Sequence, residues 1–195
     1  MSLNPDRLYR AASGFLAGDA ENKSLILRGV PIVFDAPTVI FETDGIKYYE
    51  QIARGAFDRA DLSDIIFNYN HHGRVYARTR NGTLDYDIGN NAFNITARLM
   101  PDDTGHQQLY RDIRSGLIDK MSFSFTVEEE NYNSETRTRT ILKIKKLYDV
   151  SAVDIPAYNE TSISARNFFK EENEKEIRNS EQARLRKLLV VKTLL

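Results

Sequence analysis

A hydroxyl, an imidazole and a carboxylate within hydrogen-bond reach of one another can perform acyl transfer. The imidazole takes the hydroxyl proton, and the carboxylate orients the imidazole and stabilises its charged form. The stretch Lys120-Met121-Ser122-Phe123-Ser124-Phe125-Thr126 offers the hydroxyl. Side chains on a strand alternate with a period of two, so Met121, Phe123 and Phe125 share one face and Ser122, Ser124 and Thr126 the other. A water-facing strand surface usually mixes charges with Thr, so a charge-free hydroxyl face behind an aromatic one points to a sheltered polar pocket. Ser124 lies on the same face as Ser122, about 6.6 Å along the strand, and both see that pocket. His71 and His72 close the apolar run Ile65-Ile66-Phe67-Asn68-Tyr69-Asn70. Neighbours on a strand face opposite ways, so only one of these imidazoles can enter a shared site. The same rule separates Asp149 from Asp154 in Leu147–Asp154. His71, Ser122 and Asp149 can thus be assigned the roles of base, nucleophile and orienting carboxylate.

A metal centre is the competing chemistry, with His71, His72, His106, Asp85 and Asp87 as conceivable ligands. The adjacent histidines oppose each other, no His-Glu-x-x-His run exists, and His106 opens a polar helix start. There is no Gly-x-Gly-x-x-Gly or Walker-type loop for nucleotides and no Gly-x-Ser-x-Gly elbow. The motifs therefore require neither metal nor cofactor. The absence of cysteine excludes a disulfide framework, a thiolate zinc site and a cysteine nucleophile together.

The elements that must hold these residues are mostly strands. Leu25–Leu27, Val30–Phe34 and Thr38–Phe41 are short β-rich runs, with Pro31 at an edge or bulge. Asp44-Gly45 and Asn81-Gly82 predict hairpin turns, the latter between Arg74–Arg80 and Thr83–Ile88. A further turn is expected at Gly89-Asn90-Asn91, and a brief helical turn over residues 58–63. Pro101-Asp102-Asp103-Thr104 opens a helix with Leu109, Ile113 and Leu117 four apart and Gly116 as its stop. That helix leads directly into the Ser122 strand and is expected to brace it from behind. Glu128–Ser134 reads as a polar excursion before Thr140–Lys145 alternates again.

Residues 1–22 read as a leader with little structure of its own, 23–166 as one domain, and 167–195 as a charged helical tail. The tail's apolar positions Ile177, Leu185, Leu188 and Leu189 are too sparse to add much to a core. A net charge of -1, with Lys and Arg scattered, gives no field for nucleic acid or an anionic membrane. No apolar run approaches the roughly 18 residues of a membrane span, and the first residues lack the apolar core of a signal peptide.

Five features in order resemble the prohead (capsid maturation) serine proteases of tailed bacteriophages, a family related in fold to the herpesvirus assemblins. They are Gly55-Ala56-Phe57, Asn70-His71, Gly82-Thr83-Leu84, Gly116-Leu117-Ile118 leading into Met121–Phe125, and Asp149–Val153 followed by Pro156-Ala157-Tyr158. The resemblance runs from about Ser24 to Ala165. It implies an α+β, mainly β fold: an antiparallel β-barrel with a few surrounding helices, to which the helical tail is appended. It places the catalytic histidine at His71 and the nucleophile at Ser122, with the third member carried to Asp149. It departs from the family pattern at His72, commonly Asp, and at Ser124, commonly Gly. Its implied substrates are the major capsid protein and the scaffold protein, met inside the assembling procapsid in the host bacterial cytoplasm. Self-cleavage and a homo-oligomer belong to the same expectation.

Overall fold

The computed structural model describes residues 7–12, 15–17, 25–154 and 158–193. In chain order the strands before the first helix are β1 (Leu8–Ala12), β2 (Phe15–Ala17), β3 (Leu25–Val33), β4 (Thr38–Thr43), β5 (Ile46–Ile52), β6 (Ile66–Tyr69), β7 (His72–Arg78), β8 (Leu84–Ile88) and β9 (Ala92–Leu99). Helix α1 (Thr104–Arg114), the long strands β10 (Lys120–Asn133) and β11 (Thr138–Val153), and helix α2 (Tyr158–Thr193) follow. The chain is mainly β with two α-helices among the described residues.

The β10–β11 hairpin is the spine. Their antiparallel pairing runs from Lys120↔Val153 to Asn133↔Thr138, and β1 adds antiparallel on the other side of β10. Strand β11 has two parallel partners in succession: β5 beside Thr138–Ile141 and β6 beside Asp149–Ala152. With β4 and β7 this makes a seven-stranded sheet; β2, β3, β9 and β8 form a second sheet of four. Among the described residues neither sheet closes on itself, so the expected barrel is not confirmed; the strands form two sheets that share a core. That core gathers Phe67, Phe93, Phe125, Leu27, Met121, Ile144 and Leu147, all fully buried.

The turns follow backbone chemistry, with one exception. Asp44 and Gly45 both take positive φ, 51° and 75°, and join β4 to β5 in the expected tight hairpin. The register shift after Gly29 marks the bulge that Pro31 demanded. Asn81-Gly82, however, makes no hairpin. Thr79–Asn81 form a 3-10 turn with left-handed Gly82 at its end, and this turn passes the chain from β7 in one sheet to β8 in the other. The helical turn expected over 58–63 lies earlier, as a 3-10 turn at Arg54–Phe57. The polar excursion at 128–133 is the outer half of β10, held to β11 by the ion pairs Glu129–Lys143 and Glu130–Arg139.

Helix α1 begins where Asp103 accepts the amide hydrogens of Gly105 and His106 at 2.9 and 3.1 Å. Leu109 and Ile113 are buried, but the helix ends before Gly116, which adopts φ 76°, and Leu117 is 74% exposed. The continued spacing of four therefore misplaced Leu117; Ile118, one residue on, is buried instead. The helix packs on β2, β3 and β9, so it supports the smaller sheet rather than the back of the Ser122 strand.

Both termini are more integral than their composition suggests. Leu8–Ala12, read as leader, pairs along Met121–Phe125, because β10 would otherwise present an open edge. Arg10 from this strand is buried with Glu50, its Nη2 donating to Oε2 at 2.6 Å, and Arg139 donates to the same carboxylate at 3.1 Å. The Arg139 guanidinium lies 4.3 Å over the ring of Phe168 on α2. Beside it Phe169, 1% exposed, packs with Ile40 and Tyr48 in a second cluster. The tail thus supplies a core aromatic that the sparse spacing of its leucines concealed.

Phe169→Ala should cost about 3 to 5 kcal/mol, the usual penalty for emptying a buried aromatic site, read from urea melts. Truncation after Arg166 should for the same reason lower the melting temperature. The Glu50 carboxyl is pushed up by burial, but the charges and hydrogen bonds of Arg10 and Arg139 together hold it below its ordinary 4.5. Its stabilisation is therefore fully present above pH 4.5 and is lost as the pH falls through the lower folded value. The stability gap between wild type and Glu50→Gln should narrow with acid below pH 4.5. A gap constant from about pH 7 to 3 would remove Glu50 from the account.

Candidate active site

His71 owes its place to a two-residue turn. Tyr69 pairs with His72 across the β6–β7 hairpin, leaving Asn70 and His71 as the turn, with φ 51° and 62°. Two positive φ values in succession are type I′ geometry, in which Asn is at ease and a non-glycine second residue is uncommon. The turn is fastened to β11: Asn70 N–H donates to the Ala152 carbonyl at 2.9 Å, and His71 N–H to Ser151 Oγ at 3.2 Å. His72, the first residue of β7, is exposed. The two imidazoles do separate, but by the turn's backbone rather than by alternation along one strand.

The β10–β11 register then delivers the other two groups. Ser122 lies opposite Ser151 and Ser124 opposite Asp149. His71 Nδ1 is 2.6 Å from Asp149 Oδ1, and Nε2 is 2.6 Å from Ser122 Oγ. Burial, the largest influence, pushes the Asp149 carboxyl up. Hydrogen bonds from His71 and Ser124, and the charges of His71 and Arg7, outweigh it and hold the group below its ordinary value. An ionised carboxylate only accepts, so His71 Nδ1 carries the proton, and in the neutral ring Nε2 accepts from the Ser122 hydroxyl. The hydroxyl hydrogen is thus aimed at a base, the alignment that nucleophilic attack by serine requires.

Around this line lie residues that sequence reasoning missed or read otherwise. Ser124 does not reach His71. Its hydroxyl donates to Asp149 Oδ2 and accepts from Arg7, Nε at 2.9 Å and Nη2 at 2.6 Å, so it supports the carboxylate. Ser151 Oγ stands 3.1 Å from His71 Nδ1 and 2.9 Å from Asp149 Oδ1, and also contacts Asn68 Oδ1, sharing one proton between two acceptors. The Tyr9 and His71 rings meet in a T, centroids 4.7 Å apart. Arg7 and Tyr9 fell in the supposed leader, where no motif marks them. Ser151 and Asn68 could have been found from the parallel β6–β11 register, which sets them opposite each other.

The remaining candidates lie elsewhere. Asp154 is exposed and accepts from the Tyr69 hydroxyl at 3.1 Å. His106 is buried in α1, its Nδ1 accepting the Met100 amide at 3.0 Å, and burial pushes its imidazole below the ordinary value. Asp85 and Asp87 are exposed on β8, Asp85 paired with Arg98. Among the described residues no three His, Asp or Glu side chains are grouped to hold a metal ion.

Access is restricted. Ser122 is 0% exposed, and the His71 side chain, at 11%, is the member of the trio that meets solvent.

A family model described as caudovirus prohead serine protease matches residues 15–176 of the chain. No curated protein and no solved structure matches it.

If this geometry is catalytic, the two histidines must differ sharply. His71→Ala should reduce hydrolysis of an activated peptide ester by about 10⁴-fold or more, as expected for a triad member. His72→Ala should stay within about 2-fold, since the ring is exposed and substitutions of exposed side chains usually change little. Comparable losses in kcat/KM would contradict the separation of the two rings.

Proposed function

The chain belongs to the caudovirus prohead serine protease family, and from that premise we propose that it is an active endopeptidase with Ser122, His71 and Asp149 as its catalytic residues. The observation that carries the reading is the continuous hydrogen-bonded line from Ser122 Oγ through the imidazole to Asp149, each step 2.6 Å. Ser122 Oγ attacks the scissile carbonyl carbon as its proton passes to His71 Nε2. The imidazolium is stabilised by Asp149 through Nδ1–H and returns that proton to the departing amine as the C–N bond breaks, leaving an acyl-enzyme. Water, deprotonated by the same nitrogen, then releases the acid and restores the serine.

Membership of a prohead protease family supports action inside an assembling phage head. The substrates we propose are the major capsid protein and the scaffold protein, encountered within the procapsid, with self-cleavage as an additional event. No described helix is long and apolar enough to cross a membrane. A second reading has one observation in its favour. Because Ser122 is fully buried, the chain could serve as an assembly component that keeps the fold but is not turned on.

Incubation of the purified protein with its cognate scaffold and capsid proteins, followed by mass-spectrometric mapping of new termini, decides between them. Wild type should create discrete new termini and Ser122→Ala none, with unchanged melting. Cleavage retained by Ser122→Ala would overturn the nucleophile, and none by wild type would favour the assembly component.

A further inference from the structure

Asp149 Oδ1 faces His71, and something must hold Oδ2. The groups doing so come from the first strand and from the neighbouring position on β10: the Arg7 guanidinium Nη2 and the Ser124 hydroxyl both donate to Oδ2. Arg7 also donates to Ser124 Oγ through Nε and Nη2, so cation, hydroxyl and carboxylate close into a ring of hydrogen bonds. The guanidinium has a built seat. Its carbon lies 4.6 Å over the Tyr148 ring and 5.5 Å over the Tyr9 ring, which fits a flat, delocalised cation better than an ammonium. Tyr9 in turn meets the His71 ring in a T. The backbone is fixed by the pairing Leu8↔Phe125 through Ala12↔Met121, which leaves Arg7 one residue outside the strand, from where its side chain reaches the Asp149 carboxylate.

We infer that Arg7 is a positioning residue: it locks the rotation of the Asp149 carboxylate, so that Oδ1 stays on His71, and makes the N-terminal strand part of the active site. The inference rests on the triad reading above. A carboxylate pinned at one oxygen only can swing about its Cβ–Cγ bond and lose the bond to Nδ1–H; a bidentate hold removes that freedom. Ser124, the second hydroxyl of the polar face, thereby acquires a role: it relays the cation to the carboxylate and has no base of its own. Part of the predicted leader is then a working component of the site, and losing Arg7 weakens the protein's activity.

The test compares wild type, Arg7→Ala, Arg7→Lys and Ser122→Ala as full-length proteins, using a peptide substrate and the low-field proton NMR signal of His71 Nδ1–H. Arg7→Ala should lower kcat about 10- to 100-fold, the range for one charge-assisted hydrogen bond, with KM little changed. Guanidinium chloride at tens of millimolar, far below denaturing levels, should restore part of that loss, and Arg7→Lys should fall between wild type and Arg7→Ala. The NMR signal should broaden in Arg7→Ala and sharpen again on adding guanidinium. Full kcat in Arg7→Ala, or a loss that guanidinium leaves untouched in both readouts, overturns the inference. Activity surviving in Ser122→Ala sinks the triad reading instead. If wild type does not turn over, the NMR response alone still upholds or overturns the role of Arg7.

Discussion

A carboxylate with no access to water is the constraint around which this molecule is built. Asp149 lies at the meeting of three paired strands, β6, β10 and β11, and a bare ion there would be intolerable. The surrounding residues offset this with donors from four places: the His71 ring from a turn, Ser124 from β10, Ser151 from its own strand, and Arg7 from the chain's beginning. Ser124 and Ser151 point inward because strand pairing aims them, while the β6–β7 turn aims His71 and Arg7 reaches in from just beyond β1. The hydroxyl face of β10 is therefore not an ordinary half-buried surface. Ser122, Ser124 and Thr126 are as hidden as the aromatic face behind them.

A second buried carboxylate repeats the arrangement at the other end of the seven-stranded sheet. Glu50 is held by Arg10 and Arg139, and Arg139 also bridges to Glu130 and lies over Phe168. Arg10 and Arg7 lie on the same short N-terminal segment. That segment therefore serves both anionic centres, while the C-terminal helix closes over the second. The apolar pattern already fixes which face of each strand is buried, and paired buried ions add a penalty for every slip that leaves one partner alone.

The sequence made legible whatever depends on short-range chemistry. The alternation of Met121–Thr126, the Asp103 cap, the Asp44-Gly45 turn and the bulge near Pro31 all follow from local rules. The three groups that the structure brings together could be named from sequence too, because a hydroxyl, an imidazole and a carboxylate are the residue types that acyl transfer needs. What stayed hidden depends on pairing between distant segments. Asn81-Gly82 has the composition of a hairpin, yet its two flanking strands find better partners in different sheets. Asn70-His71 lacks the glycine that usually marks a type I′ turn. Arg7 and Phe169 sit in stretches whose average composition reads as solvated, and averages do not see one residue packed against a strand far along the chain.

The position of β1 also fixes when the site can exist. Arg7 and Asp149 are 142 positions apart, and Arg7 and Ser124 are 117 apart. Synthesis proceeds from the N-terminus at about 5 to 20 residues per second. The first strand therefore leaves the ribosome several seconds before the strand it pairs with and the carboxylate that Arg7 grips. During that interval β2, β3, β8 and β9 can assemble the smaller sheet, but His71 has neither partner. The long-range closure that completes the site carries the largest loop entropy and so comes late. A growing chain thus passes most of its synthesis with the hydroxyl, the imidazole and the carboxylate apart.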